Sequence, residues 1–173
     1  MDENFISYDV NPNIDFLLPF YLGEEFVPTK QDSFKPIKVI ERDEDGGEKI
    51  NKNFYIKNDE NELLIYFKEK IQNYAKNIFN ENNKISKPNK VEVILSITLT
   101  EKRFKSVDVD NLAKTILDSL NNIAYEDDSQ VSCLIVKKHI HPMKTNSLLI
   151  GVTKITDDRK GFGGNIFLFS KST

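Results

Sequence analysis

The 173-residue sequence predicts an α+β domain in which helices pack on one small mixed sheet, and three observations carry that expectation. Residues 91–100 alternate Val91, Val93, Leu95, Ile97 and Leu99 on one side, the period of a strand with one buried face. From about Glu60 to Asn82, Leu63, Leu64, Phe67, Ile71, Tyr74, Ala75, Ile78 and Phe79 recur at helical spacing, with Lys and Glu between them. A second helical pattern, two further strands and few breakers complete the order helix, strand, helix, strand, strand.

Taken in order, residues 1–22 read as an N-terminal extension, polar at first and apolar around Phe16–Phe20. The domain is expected over 23–156, and 157–173 read as a C-terminal tail. Residues 23–36 offer a first strand with Phe26, Val27 and Phe34 as its apolar positions. Residues 41–48 (Glu41 to Glu48, with Gly46 and Gly47) form a charged loop best read as a solvated hairpin tip. Lys87-Pro88-Asn89 breaks the first helix before the strand at 91–100. A second helix follows from Asn111 to about Ile123, then strands at 130–140 and 148–155 joined by a turn over 142–146. No internal repeat or long low-complexity tract interrupts this plan.

Composition excludes several classes. Hydrophobic content of 39% and charged content of 29% suit a chain with a real core. Runs such as Cys133–Val136 and Leu148–Ile150 are far too short to span a bilayer. The start, Met1-Asp2-Glu3-Asn4, lacks the basic and apolar pattern of a secretory signal, so the expected location is cytoplasmic and away from membranes. One cysteine, Cys133, forms no internal disulfide and reads as a small core residue. The net charge of −3 argues against non-specific coating of nucleic acid but leaves local basic patches open.

The chemistry concentrates in Asp108 to Leu120. On a helix, Asp110, Asn111, Lys114, Asp118 and Asn121 share one stripe, while Ala113, Ile116, Leu117, Leu120 and Ala124 form an opposing apolar stripe that faces the core. A structural account of the polar stripe exists. Asp108 or Asp110 suits a helix N-cap, and Lys114 with Asp118 makes an intrahelical ion pair. Against it stands a second acidic cluster, Glu126-Asp127-Asp128, at the entrance to an apolar strand. Adjacent aspartates repel each other there, and a hard divalent cation relieves the repulsion.

Other metal and ligand readings fit less well. Asp108-Val109-Asp110-Asn111 begins like a calcium loop, but the later glycine and glutamate are missing. Zinc would need Cys and His, and His139, His141 and Cys133 are too few and badly spaced. Both histidines read as a polar strand end. Gly161, Gly163 and Gly164 lack the helix and Lys-Ser/Thr pair of a phosphate loop.

The pattern Asp108-x-Asp110-Asn111-x-x-Lys114-x-x-x-Asp118-x-Leu120, followed by Asp127-Asp128-x-Gln130-Val131, resembles the signature of RusA-type crossover junction endodeoxyribonucleases. The resemblance runs from about Val91 to Ile155, and Val27–Lys35 is similar to the family's first strand. It implies a RusA-like, dimeric fold and a Mg²⁺-dependent nuclease that resolves Holliday junctions or other branched DNA in recombination and repair. It further implies that Asp108, Asp110 and Asp128 are the essential metal ligands, Asp127 a secondary acid, and Lys114 the catalytic-site lysine. Where members often carry arginine before the first aspartate, this sequence has Val107. Lys102, Arg103 and Lys105 are then the expected phosphate contacts, joined by Lys30.

Chain reach adds a geometric expectation. The helix from Asp110 to Ile123 spans roughly 20 Å, and residues 124–128 return at most about 17 Å. Asp128 is therefore expected to complete a site on a two-fold partner rather than on its own chain. Two rival readings share these residues: a catalytically inactive branched-DNA-binding protein of the same fold, and an acidic metal-binding scaffold unrelated to DNA. The basic stretch Lys102-Arg103-Phe104-Lys105 disfavours the scaffold.

Overall fold

The computed structural model describes residues 9–57, 62–140 and 144–166. Its centre is a four-stranded sheet of β1 (Phe16–Gly23), β4 (Lys90–Leu99), β5 (Val131–Ile140) and β6 (Asn146–Ile155), in the order β1-β6-β4-β5. β4 is central because its alternation is suited to burial: Val91, Val93, Leu95, Ile97 and Leu99 are all 1% exposed or less. It pairs antiparallel with β6, Ile94 opposite Gly151, and parallel with β5, Ile94 opposite Ile135. A parallel pair needs a crossover connection. α2 (Glu101–Ser106) and α3 (Val109–Leu120) supply it.

Two helices cover the alternating apolar face. α1 (Glu62–Ala75) buries Phe67, Ile71 and Ala75, and α3 lies against it. From the sheet, Phe20 meets Tyr74 and Phe16 meets Phe79, with ring centroids 4.7 and 4.5 Å apart. α3 buries Ala113, Ile116 and Leu120 as its apolar stripe requires, and Leu112, Thr115 and Ser119 as well. The two hydroxyls tolerate burial because each donates to a carbonyl one turn back, Thr115 to Asn111 and Ser119 to Thr115.

Several expectations change here. The extension assigned to residues 1–22 ends inside the fold, since Phe16–Gly23 is an edge strand paired along β6. Its alternation, with Leu18, Phe20 and Leu22 buried, is interrupted in sequence by Pro19, which an edge strand accommodates. The expected strand at 23–36 is instead irregular to Thr29, with a 3₁₀ turn at Lys30–Ser33 and a strand only from Phe34. The tail assigned to 157–173 packs on the sheet at least through Gly163. Glu92, fully buried, accepts hydrogen bonds from the Phe162 and Gly163 N–H groups at 2.8 and 2.6 Å. Cys133 lies beside them, and burial and Glu92 push its thiol pKa up.

A second sheet stands apart, against the expectation of one. β2 (Phe34–Arg42) and β3 (Glu48–Lys57) form an antiparallel hairpin whose turn, at Asp43–Gly47, is the charged tip the sequence suggested. The helix expected from Glu60 is described from Glu62 onward, and His141 lies outside the described residues. Among the described residues no helix is long and apolar enough to cross a membrane.

Candidate active site

The site grows from the N-terminal end of α3. Val107 is buried at 3%, which anchors the chain, while the three residues after it are exposed. Asp108 occupies the N-cap position with extended backbone (φ −83°, ψ 146°), yet its side chain makes no capping hydrogen bond. The structural use that would explain an aspartate here is therefore not exercised. Asp110 lies exposed in the first turn, where the helix dipole favours its charge.

One turn further along the same face, Lys114 is 59% exposed at its side chain and lies 3.7 Å from Asp118. Asp118 also faces Lys68 of α1 at 3.6 Å. A small crevice of about 20 Å³ joins Lys30, Lys68, Asn111, Lys114 and Asp118. Three ammonium groups surround one carboxylate there, so the crevice attracts anions. Lys68 was not singled out from sequence, although a lysine amid Leu64, Phe67 and Ile71 was the visible anomaly. A larger cleft of about 400 Å³, lined by Phe26, Pro28, Leu63, Tyr66 and Phe67, shares no residue with this face.

The second acidic cluster lies at the other end of α3. Tyr125, buried, donates its hydroxyl to the Leu117 carbonyl at 3.1 Å. Burial raises its pKa, and the nearby carboxylates of Asp128, Asp118 and Asp127 push in the same direction. Asp127 caps the 3₁₀ turn at Asp128–Gln130 by accepting from the Ser129 N–H at 3.1 Å, and Ser129 holds its carboxyl below the usual range. Gln130 is the buried organiser. Its oxygen accepts from the N–H groups of Glu126 and Asp127, and its amide donates to the carbonyls of Ile85 and Asn89.

The structure does not bring Asp108 and Asp110 together with Asp127 and Asp128. Lys138 donates to the carbonyls of Phe104 and Val107 at 3.0 and 2.7 Å, fixing the far end of β5 beside Asp108. Asp128 precedes the near end of the same strand. The two halves therefore lie toward opposite ends of β5. Among the described residues, no three His, Cys, Asp or Glu side chains converge as a cation site.

The expected phosphate contacts divide. Lys102 and Lys105 are exposed on α2, and Lys105 pairs with Glu101 at 2.6 Å. Arg103, also expected as a DNA contact, is engaged inside the fold. It holds Asp32 through both terminal nitrogens at 2.8 and 2.7 Å, donates to the Val27 carbonyl, and lies 4.5 Å over the Phe26 ring. Burial alone would raise the Asp32 pKa, but the Arg103 and Thr29 hydrogen bonds outweigh it and lower the value. His139 faces Thr98 at 3.2 Å, in keeping with a polar strand end.

An exposed helix face with two carboxylates and a lysine, beside a crevice of ammonium groups, is equipment for handling a phosphodiester with a hard cation. The sequence model described as Endodeoxyribonuclease RusA matches residues 46–148, more than half of the chain, and the chain belongs to that family of Holliday junction endonucleases. The matched span runs from the hairpin turn into β6 and contains Asp108, Asp110, Lys114, Asp127 and Asp128. No curated protein matches the chain.

Proposed function

We propose that this protein is a Mg²⁺-dependent endonuclease that resolves four-way junctions or related branched DNA, as a homodimer, by paired cuts in recombination and repair. The observation that carries the reading is the exposed face of α3, where Asp108 and Asp110 stand free of capping duty at Asp108 and one turn from Lys114. Carboxylate oxygens are the donors that a hard cation takes. A bound Mg²⁺ supplies activation of water and neutralisation of developing charge on the phosphate. Asp108 and Asp110 of one chain, with Asp128 of the partner subunit, would hold it. The separation of the two acidic groups along β5 supports that division. A two-fold partner supplies the missing half twice, giving two sites for two cuts.

Lys114 brings positive charge to the phosphoryl group or the leaving 3′ oxygen. Its structural alternative is weak. In the pair with Asp118 the lysine precedes the acid, the less favourable order on a helix, so the bond contributes at most a few tenths of a kcal/mol. Lys30 and Lys68 at the crevice, with exposed Lys102 and Lys105, would contact phosphates and orient the duplex arms.

Cleavage of a synthetic four-way junction beside linear duplex, with and without Mg²⁺, tests the reading. Paired cuts in the junction that require the cation are expected. Lys114→Met should slow the single-turnover rate about 10²-fold while shifting the melting temperature little. Junction binding without cutting would identify an inactive branched-DNA-binding protein instead, and an unchanged Lys114→Met rate would return that lysine to its ion pair.

A further inference from the structure

The β2–β3 hairpin is the part of the molecule that the site leaves unexplained. It forms its own two-stranded sheet, and Phe34, Ile40, Ile50, Phe54, Tyr55 and Ile56 are each 45–65% exposed. Two strands alone are marginal in water, and such a density of exposed apolar groups marks a binding surface.

Charge along the hairpin is polarised. Residues 34–40 and 50–57 contain Lys35, Lys38, Lys52 and Lys57 and no Asp or Glu, whereas the tip end, where Lys49 pairs with Glu41, holds Glu41, Asp43, Glu44, Asp45 and Glu48. At the root, Phe34 opposes Lys57 and Pro36 opposes Tyr55, so these four residues share one face. That face offers two aromatic rings, 50% and 65% exposed, beside a lysine.

The root is also fixed relative to the site. Phe34 directly follows the Lys30–Ser33 turn, which packs on α3 and contributes Lys30 to the anion-attracting crevice. Asp32 in that turn is clamped by Arg103 of α2, the helix that leads into Asp108. One guanidinium therefore sets both the base of the arm and the approach to the catalytic helix.

We propose that the shaft of this arm binds the nucleic acid at the branch. Phe34 and Tyr55 stack on bases exposed where strands exchange, and Lys38 and Lys57 hold adjacent phosphates. Aromatic rings interleaved with lysines bind unstacked bases without needing a particular sequence. The acidic tip is repelled by the backbone and so points the arm away from the duplex arms, leaving its root at the branch. A lower shaft without carboxylates, residues 34–40 and 50–57, beside an acid-rich tip end matches a polyanion better than it matches a second copy of this chain, whose net charge is −3. The proposal rests on the nuclease reading above.

The test titrates wild type, Phe34→Ala/Tyr55→Ala, and Lys38→Gln/Lys57→Gln against a four-way junction carrying 2-aminopurine at the branch, at several salt concentrations. Sedimentation of each protein runs in parallel. The aromatic variant should bind about 10-fold more weakly and lose the fluorescence change. The lysine variant should lower the salt slope by about 2. Arm variants that match wild type in affinity, signal and slope overturn the arm alone. Variants that instead dissociate the dimer, with junction affinity per dimer intact, make the arm a protein interface and also overturn it. A wild type that binds no junction sinks the nuclease reading, and the arm with it.

Discussion

Asp110→Asn is expected to cut a four-way junction at least about 10²–10³ times more slowly than wild type, while binding it normally and melting within a few degrees of it. The substitution is nearly isosteric, and asparagine is tolerated in a first helical turn. What it removes is one charge from a pair of exposed carboxylates, and with it an oxygen donor of the strength that a hard cation requires. The structural worth of that charge is only its attraction to the helix N-terminus, about 0.3–1 kcal/mol. Stability and cleavage should therefore separate by a wide margin. Equal cleavage by Asp110→Asn would make the aspartate an ornament of the helix end. A large drop in melting temperature would make it a structural residue.

Gln130→Ala should act the opposite way, through stability first. The Gln130 side chain is 6% exposed and makes four hydrogen bonds, at 2.9, 3.2, 3.0 and 3.0 Å, to the main chain of Glu126, Asp127, Ile85 and Asn89. These bonds sew the segment before β4 to the loop that carries Asp127 and Asp128. Alanine strands several buried main-chain groups at once, a loss of roughly 3 kcal/mol, or about 6–12 °C in melting temperature for a chain of this size. Cleavage should fall too, even well below the melting point, because Asp128 loses the frame that fixes it. Thermal melts followed by a cleavage assay at low temperature check both parts. A stable variant would show that water replaces the amide without cost.

Legibility in the sequence followed the range of the interactions. β4, α1 and α3 were readable because their signals are periodic and local. So was the tip at Asp43–Gly47, where glycines and charges suit a turn. β1 was missed because Pro19 interrupts its pattern and its partner, β6, lies about 130 residues away. α2 was missed because six residues give too little periodicity, and its basic side chains drew a different reading. Arg103 shows why. Its type and position suit a phosphate contact, and only the fold reveals Asp32 as its partner, 71 residues earlier. Glu92 is similar, a buried acid near the start of an apolar strand whose partners, the Phe162 and Gly163 N–H groups, lie 70 and 71 residues later. The candidate site was legible as residue types at fixed spacing. Its proposed division between two subunits followed from element lengths.

That division makes the central claim directly testable. Asp110→Asn and Asp128→Asn chains are prepared separately, each assayed alone, then mixed under conditions that exchange subunits and assayed again on a four-way junction in Mg²⁺. If each site takes Asp108 and Asp110 from one chain and Asp128 from the partner subunit, the mixed dimer holds one site with both defects and one site with none. The mixture should then nick the junction in one strand, although neither parent cuts. A mixture as silent as its parents, in the presence of an active wild-type control, would place each complete site within a single chain and contradict the account.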